Sequence, residues 1–290
     1  MNGWQIAAVI AKAVMYWTSL AGPGGALFLL VFGDTLTDGE QARIRRAALI
    51  GLLIAAIVGM ARISIISGML GGDLASMASE TLIGIVLHAG EGRALVLRLI
   101  GLTLAAIGLR FEKARFIGTI AGVAFVCVSF AVVGHAEAAG PKPLPGGLLV
   151  LHLLGLTFWL GALYPLWRLA KAPDTARIAG IMTQFGDIAL YVVGTLVIAG
   201  GGLLWILIGD PAEILQSDYG RLVTGKLGLV AVLLGLAALN RLRLAPRLRR
   251  GDQTAVVSLQ RSIALEIAVA AAILLVTATF TTIVGPPTLG

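Results

Sequence analysis

The sequence of 290 residues contains one cysteine, three histidines and few charged residues, which make up 13% of the chain. With Cys127 as the sole thiol, neither a disulfide within the chain nor a cluster of thiolate ligands can form, and we interpret Cys127 as a small core residue. A soluble domain carries about 25% charged residues. A chain that is 58% hydrophobic over this length cannot cover itself with polar surface in water, which argues against a soluble protein.

Several motifs of catalysis and energy coupling are also missing. The chain has no glycine-rich phosphate loop followed by Lys-Ser or Lys-Thr, which argues against ATP-driven pumping and against a nucleotide partner. It also lacks Cys-x-x-Cys, His-Glu-x-x-His and Gly-x-Ser-x-Gly. Together these absences favour a protein that is not an enzyme.

What the chain has instead is long apolar runs. About 20 apolar residues span the hydrocarbon core of a bilayer. Eight runs meet this length or approach it, over residues 4–32, 44–70, 93–109, 116–134, 147–167, 178–208, 220–239 and 259–284. The first begins at Trp4 without a basic region before it, so we expect a retained helix and not a cleaved signal peptide.

These runs predict an all-α integral membrane protein, a bundle of about eight transmembrane helices. We expect residues 1–290 to form a single polytopic domain in contact with the lipid bilayer. The 38 glycines fit this class, because small residues let membrane helices approach closely. Residues 71–92 are less apolar, and we predict a short interfacial helix over residues 74–87.

The basic residues are unevenly distributed between alternate loops. Cytoplasmic loops of membrane proteins carry the excess of lysine and arginine. The loops after the first, third, fifth and seventh runs hold Arg43, Arg45, Arg46, Arg110, Lys113, Arg115, Arg168, Lys171, Arg177, Arg241, Arg243, Arg247, Arg249 and Arg250, whereas the other loops hold Arg93, Lys142 and Arg221. Both termini are therefore predicted to be periplasmic, and the net charge of +7 needs no nucleic-acid partner to explain it.

On this topology all three histidines lie on the outer side. His135 follows the fourth run and His152 starts the fifth, so two adjacent antiparallel helices would hold both imidazoles near the outer face. Imidazole is a frequent ligand of copper, zinc and haem iron. His88 lies in the polar segment that follows the second run. Taken singly, each histidine is also explained as an interfacial side chain hydrogen-bonded to backbone or water.

Two methionines and three buried charges complete the candidate residues. Met69 and Met77 lie at and beyond the outer end of the second run, and thioether sulfur suits Cu(I). Methionine in an apolar helix is, however, usually a packing residue. Lys226 falls in the outer half of its run, whereas Asp187 and Glu266 fall in the inner halves, where they could accept a proton or a departing metal ion.

Three segments resemble the bacterial copper resistance protein D (CopD) family. They are SFAVVGHAEAAG followed by LHLLGLTFWLGALYPL, then YGRLVTGKLGLVAVLLGLAALNRLRLAPRL, and finally LQRSIALEIAVAAAILLVTATFTTIVGPP. The likeness is strongest over residues 125–287. The resemblance implies an eight-helix protein of the bacterial inner membrane that moves copper ions from the periplasm towards the cytoplasm. It also implies a small periplasmic copper-binding partner of the CopC type and a role for His135 and His152 in copper binding.

Two other functions remain open from the residues alone. In the first, His135 and His152 are the axial ligands of one b-type haem in a membrane redox protein that accepts electrons from a quinol. In the second, the helices only anchor a periplasmic partner, as in a receptor or an assembly factor. A Soret band in the purified protein would distinguish the haem protein from a copper transporter.

Overall fold

The computed structural model describes residues 2–133, 143–172, 174–208 and 218–284. In this part of the chain all regular elements are helical, and eight helices are long and apolar enough to cross a membrane. The helices are α1 (Gly3–Phe32), α2 (Asp38–Gly71), α3 (Glu80–His88), α4 (Gly90–Arg110), α5 (Arg115–Ala131), α6 (Pro143–Leu169), α7 (Thr175–Ile208), α8 (Asp218–Leu239), α9 (Ala245–Arg249) and α10 (Gln253–Thr279). The predicted all-α bundle is thereby confirmed, with α3 and α9 as short additional helices.

The first residue of α2 differs from the one that the hydropathy pattern predicts. The helix begins at Asp38 and not at residue 44, because Thr37 and Glu40 form a reciprocal capping box. The Glu40 amide donates to the Thr37 hydroxyl over 3.3 Å, and the Thr37 amide donates to the Glu40 carboxylate over 2.9 Å. The first turn of the helix is therefore polar and lies before the apolar run.

Two further boundaries differ from the predicted ones. The expected interfacial helix over residues 74–87 is a 3-10 turn, Ala75–Ala78, followed by α3, which Ser79 caps through its hydroxyl. After α8 the chain continues through a π-helical turn, Asn240–Leu244, into α9. The arginine-rich residues that were predicted as a loop thus prolong this span to Arg249.

Side-chain contacts group the helix termini into two ends of the bundle. At one end Arg177 of α7 donates to Glu40 of α2 over 2.9 Å and 3.0 Å, and Gln260 of α10 donates to the Ala170 carbonyl. We call this the basic end, because the arginine-rich connections lie there. At the opposite end Lys12 of α1 donates to the Thr281 carbonyl over 3.0 Å. The first and last helices therefore meet at the end away from the arginines.

Five helices are held together by close glycine contacts, and we call α1, α2, α4, α5 and α6 the glycine-packed bundle. A methyl group added at Gly24 of α1 would lie 2.7 Å from the Gly161 Cα of α6. The same addition at Gly101 of α4 would lie 2.7 Å from the Gly122 carbonyl of α5. Only glycine allows these backbones to approach so closely.

Helices α7 and α8 are packed differently, and we call them the open pair. Only 6% of the residues in the most apolar window of each helix are buried inside the protein, against 61% for α1. Over the described residues these two helices make few contacts with each other. Helix α7 packs against α6, and α8 packs against α10. The candidate polar residues of the C-terminal half, His152, Lys226 and Glu266, lie on or beside these two helices.

Candidate functional site

His152 lies on α6 and points at α7, near the end opposite the basic end. Its Nδ1 is 3.2 Å from the carbonyl oxygen of Leu196, and Gly200 leaves room for the ring, since a methyl group there would lie 3.1 Å from the imidazole. A carbonyl oxygen can only accept, so Nδ1 carries the hydrogen and Nε2 keeps its lone pair. A backbone carbonyl on the second ring nitrogen is the arrangement that fixes metal-binding histidines.

The other predicted outer-side residues are placed separately. His135 lies outside the described residues, so its distance from His152 stays a prediction. His88 is exposed at the end of α3, where its Nδ1 donates to the Gly84 carbonyl over 2.8 Å and leaves Nε2 available. Helix α3 packs against α2 and α4, whereas α6 packs against α1, α5, α7 and α10. His88 and His152 therefore belong to different faces of the bundle.

The two candidate methionines lie beside α2. Met69 is 39% exposed. Met77 packs on Gly68 together with the Trp4 ring, whose indole N–H donates to the Gly72 carbonyl over 3.3 Å. These contacts give Met77 a packing role that joins the 3-10 turn to α1 and α2. A role of either methionine in copper binding remains a prediction.

Glu266 lies on α10 and is 4% exposed. Its carboxylate accepts a hydrogen bond from the Asn240 amide in the π-helical turn after α8, and it interacts with Trp159 of α6. A cavity of about 330 Å³ opens beside these three residues, between α6, the open pair and α10. Its walls are otherwise mainly apolar, so a buried carboxyl is the dominant polar group inside it.

Asp187 lies next to Gly186 and Arg241, two residues that line the cavity. It is paired with Arg241, with 3.0 Å between the two side chains, and Arg241 also donates to the Gly186 carbonyl. The Asp187 side chain is 62% exposed, so this ion pair contributes little to stability. Glu266 lines the cavity and Asp187 does not, although its partner Arg241 does; a role of either carboxylate in proton or metal transfer remains a prediction.

Lys226 lies on α8, towards the end of the bundle opposite the basic end. Its ammonium group is 5.6 Å from the centre of the Phe280 ring, and it is in electrostatic contact with His152. Among the described residues Lys226 has no ion-pair partner. His152 and Lys226 therefore lie near each other towards the end opposite the basic end, whereas Glu266 lies nearer the basic end.

The glycine-packed bundle contains a second set of buried charges that sequence reasoning did not pair. Arg62 of α2 forms an ion pair with Glu91 of α4, with 2.9 Å between them. Arg98 is 4% exposed, donates to Ser129 over 3.2 Å, and stacks 4.4 Å from the Phe130 ring centre. Each of these polar groups is paired within the bundle, which gives this set a structural role.

The described residues contain no group of three or more His, Cys, Asp or Glu side chains that could hold a metal ion. A copper site on His152 therefore needs a ligand from outside this set, such as His135, a methionine or a partner protein. Asn240 and Trp159 were also not singled out as site residues from the sequence. The signal for Asn240 was present, since it is an amide that directly follows the apolar run over residues 220–239.

Comparison with known proteins bears on these helices. Residues 179–280 match the family model of copper resistance protein D. The copper resistance protein D of Pseudomonas syringae pv. tomato is 26% identical over 251 residues, which are 78% of this chain and 78% of that protein. The copper transport protein CutJ of Bacillus subtilis (strain 168) is 27% identical over 163 residues, 54% of this chain and 28% of that protein. No solved structure gave a significant match.

The matched residues include most of α7, all of α8 and α9, and α10. These are the helices that surround the cavity together with α6. Both relatives are named for copper resistance or copper transport. The chain is thus a multi-pass membrane protein, and its resemblance to the copper resistance protein D family is confirmed.

Proposed function

We propose that this protein carries copper ions across the bacterial inner membrane, from the periplasm towards the cytoplasm. In this proposal the basic end faces the cytoplasm and both termini are periplasmic, as the arginine distribution predicts. Residues 1–290 act as one membrane domain. No nucleotide motif is present, so a copper gradient, the membrane potential or copper-binding proteins inside the cell would drive the flux.

The observation that carries this proposal is the orientation of His152. Its Nδ1–H is engaged by the Leu196 carbonyl, so the Nε2 lone pair is free to bind a metal. We infer that His152 and His135 receive copper at the outer face. His88, Met69 and Met77 would serve as earlier contacts for the ion on the outer surface, and a CopC-type periplasmic protein would deliver it.

Below His152 the open pair leaves a route towards the basic end. The ion would leave His152, beside Lys226 and Phe280, and enter the cavity of about 330 Å³ beside Glu266, close to the ion pair of Asp187 and Arg241. Lys226 opposes a bare cation, so it would restrict passage to copper that carries an anionic or sulfur ligand or that moves by ligand exchange. This role separates the protein from an open cation channel.

The proposal is tested by copper uptake in cells that express the His135→Ala/His152→Ala double variant at the level of the wild type. We expect uptake to fall by roughly tenfold or more, because both imidazole ligands are lost. Tyr164→Phe is the matched control, since Tyr164 lies on α6 and is 40% exposed, and its uptake should stay at the wild-type level. Unchanged uptake in the double variant would contradict the site.

The absorption spectrum of the purified protein tests the haem alternative in the same variants. The copper proposal expects bound copper in the wild type, its loss in the double variant, and no Soret band. A Soret band that disappears in the double variant would instead make His135 and His152 haem ligands and overturn the proposal.

A further inference from the structure

The Glu266 carboxyl is the only acidic side chain that lines the cavity in the described part of the chain. It is 4% exposed, and its interaction partners there are the neutral side chains of Asn240 and Trp159. Arg241 also lines the cavity, but its guanidinium is held by Asp187 and the Gly186 carbonyl. The charge of an ionised Glu266 is therefore not balanced by a described basic residue, and an unbalanced buried charge is strongly disfavoured.

Three other residues that line the cavity carry polar or sulfur atoms. The Asn240 side-chain oxygen is buried and has no hydrogen-bond partner among the described residues, because only the nitrogen of this amide is used by Glu266. Trp159 is 4% exposed, and its indole N–H, which can only donate, interacts with the Glu266 carboxyl and is not itself a metal ligand. Met182 of α7 lines the cavity as well and is 8% exposed. Buried polar atoms without partners are rare in folded proteins and indicate a missing partner.

The combination of donors selects the type of ion. One carboxylate balances one positive charge, which suits a monovalent cation. Thioether sulfur is a soft ligand that suits Cu(I), and the face of an indole ring attracts cations. Calcium and magnesium require six or more oxygen ligands, which this mainly apolar cavity does not offer among its described side chains.

We propose that the cavity is a second copper site, at which Glu266, Asn240 and Met182 bind Cu(I) beside the Trp159 ring. This inference rests on the proposed transport function and specifies the last binding site of the ion before it reaches the cytoplasm. The Asn240 ligand is contributed by the π-helical turn after α8, and π-helical turns are frequent at functional sites. Helices α7, α8 and α10 meet at the bound ion, so copper would draw the open pair together.

The experiment is a Cu(I) titration of the full-length purified protein against a chromogenic Cu(I) chelator under anaerobic, reducing conditions. The variants are Glu266→Gln, Met182→Leu and His135→Ala/His152→Ala. Glu266→Gln removes the charge with little change of shape, and Met182→Leu nearly conserves volume. Glu112→Gln is the control, because Glu112 is 79% exposed and lies on the short 3-10 turn before α5.

We expect the wild type and Glu112→Gln to bind one copper equivalent more than Glu266→Gln. Met182→Leu should bind that equivalent more weakly and lose a sulfur neighbour in the copper X-ray absorption spectrum. Glu266→Gln with the same copper stoichiometry and affinity as the wild type would overturn this site. In that case a loss of uptake in the histidine double variant would leave the transport function standing, so the two failures are distinguishable. Thermal melting curves of all variants show whether each is folded.

Discussion

The glycine-packed bundle and the open pair are both rich in glycine but are packed differently. In the bundle, Gly24 and Gly161 bring α1 and α6 into backbone contact, and Gly101 and Gly122 do the same for α4 and α5. In the open pair, a methyl group added at Gly194 or Gly228 would meet no atom within 4 Å. Glycine content therefore does not by itself decide how closely membrane helices pack; the facing helix decides it.

This difference separates a rigid part from a part that can move. Helices with few buried contacts open at low energy, whereas interlocked backbones do not. The cavity, Glu266, Lys226 and the face of α7 against which His152 lies all belong to the loosely packed region. A carrier has to open its route to each side in turn, and the open pair is the part whose displacement breaks the fewest contacts.

The largest expected effect comes from filling one glycine in each region. A methyl group at Gly161 would overlap the Gly24 backbone, so Gly161→Ala should force α1 and α6 apart. We expect a loss of about 3 kcal/mol of folding free energy, or no folded protein at all. Gly228→Ala is the matched change on α8 and should be neutral or slightly stabilising, by at most about 1 kcal/mol.

Thermal melting in detergent measures both variants against the wild type. Similar melting temperatures for Gly161→Ala and Gly228→Ala would show that the two regions do not differ in packing, and the comparison would fail.

The second effect concerns the ion pair that joins the two regions at the basic end. Glu40 of α2 and Arg177 of α7 have side chains that are only 10% and 27% exposed. Glu40→Ala removes this pair and the capping box of α2 together, so we expect a loss of about 2 kcal/mol. In Glu112→Ala, Arg115 loses an ion-pair partner that is 79% exposed. The folding free energy should therefore change by no more than about 0.5 kcal/mol.

Chemical denaturation at low and high salt measures this second pair of variants. A Glu40→Ala variant as stable as Glu112→Ala would mean that the Glu40–Arg177 ion pair does not help to hold α7 against the bundle.

The sequence predicts the number of helices because each apolar run has to cross the bilayer on its own. It also predicts that His88 and Glu266 lie towards opposite ends, since connections alternate between the two sides of the membrane. Helix rotation is a different matter. The rotation of each helix about its own axis depends on which small residues of two helices face each other. The close packing of Gly161 and the open surroundings of Gly228 therefore could not be predicted from the sequence.

The side-chain contacts between different membrane helices could not be predicted from the sequence for the same reason. Glu266 and Asn240 lie on different helices, and only the packing of α8 against α10 brings them together. The extension of α8 was missed because arginines lower the hydropathy after residue 239. Leu244 and Leu248, four residues apart and both buried, carried the helical signal there.

The smallest expected effect concerns the turn that joins α9 to α10 at the basic end. Asp252 caps α10 and accepts hydrogen bonds from Thr254 and from Arg247 of α9. These hydrogen bonds, with the Thr254 contribution the larger, lower the pKa of Asp252 to about 2. A carboxyl whose pKa is lowered on folding stabilises the fold above its unfolded pKa of about 3.9, and this contribution disappears as the pH falls through about 2.

Asp252→Asn keeps a good capping residue and removes the charge, so it isolates this electrostatic contribution. We expect the wild type to melt at a slightly higher temperature than Asp252→Asn above about pH 4, with the gap closing as the pH falls towards 2. In an Arg247→Gln background the gap at neutral pH should narrow, because the carboxylate has lost its basic partner. A gap that is constant from pH 6 down to the lowest measurable pH would show that the charge of Asp252 does not hold α9 to α10, and this junction would then rest on the packing of Leu244 and Leu248.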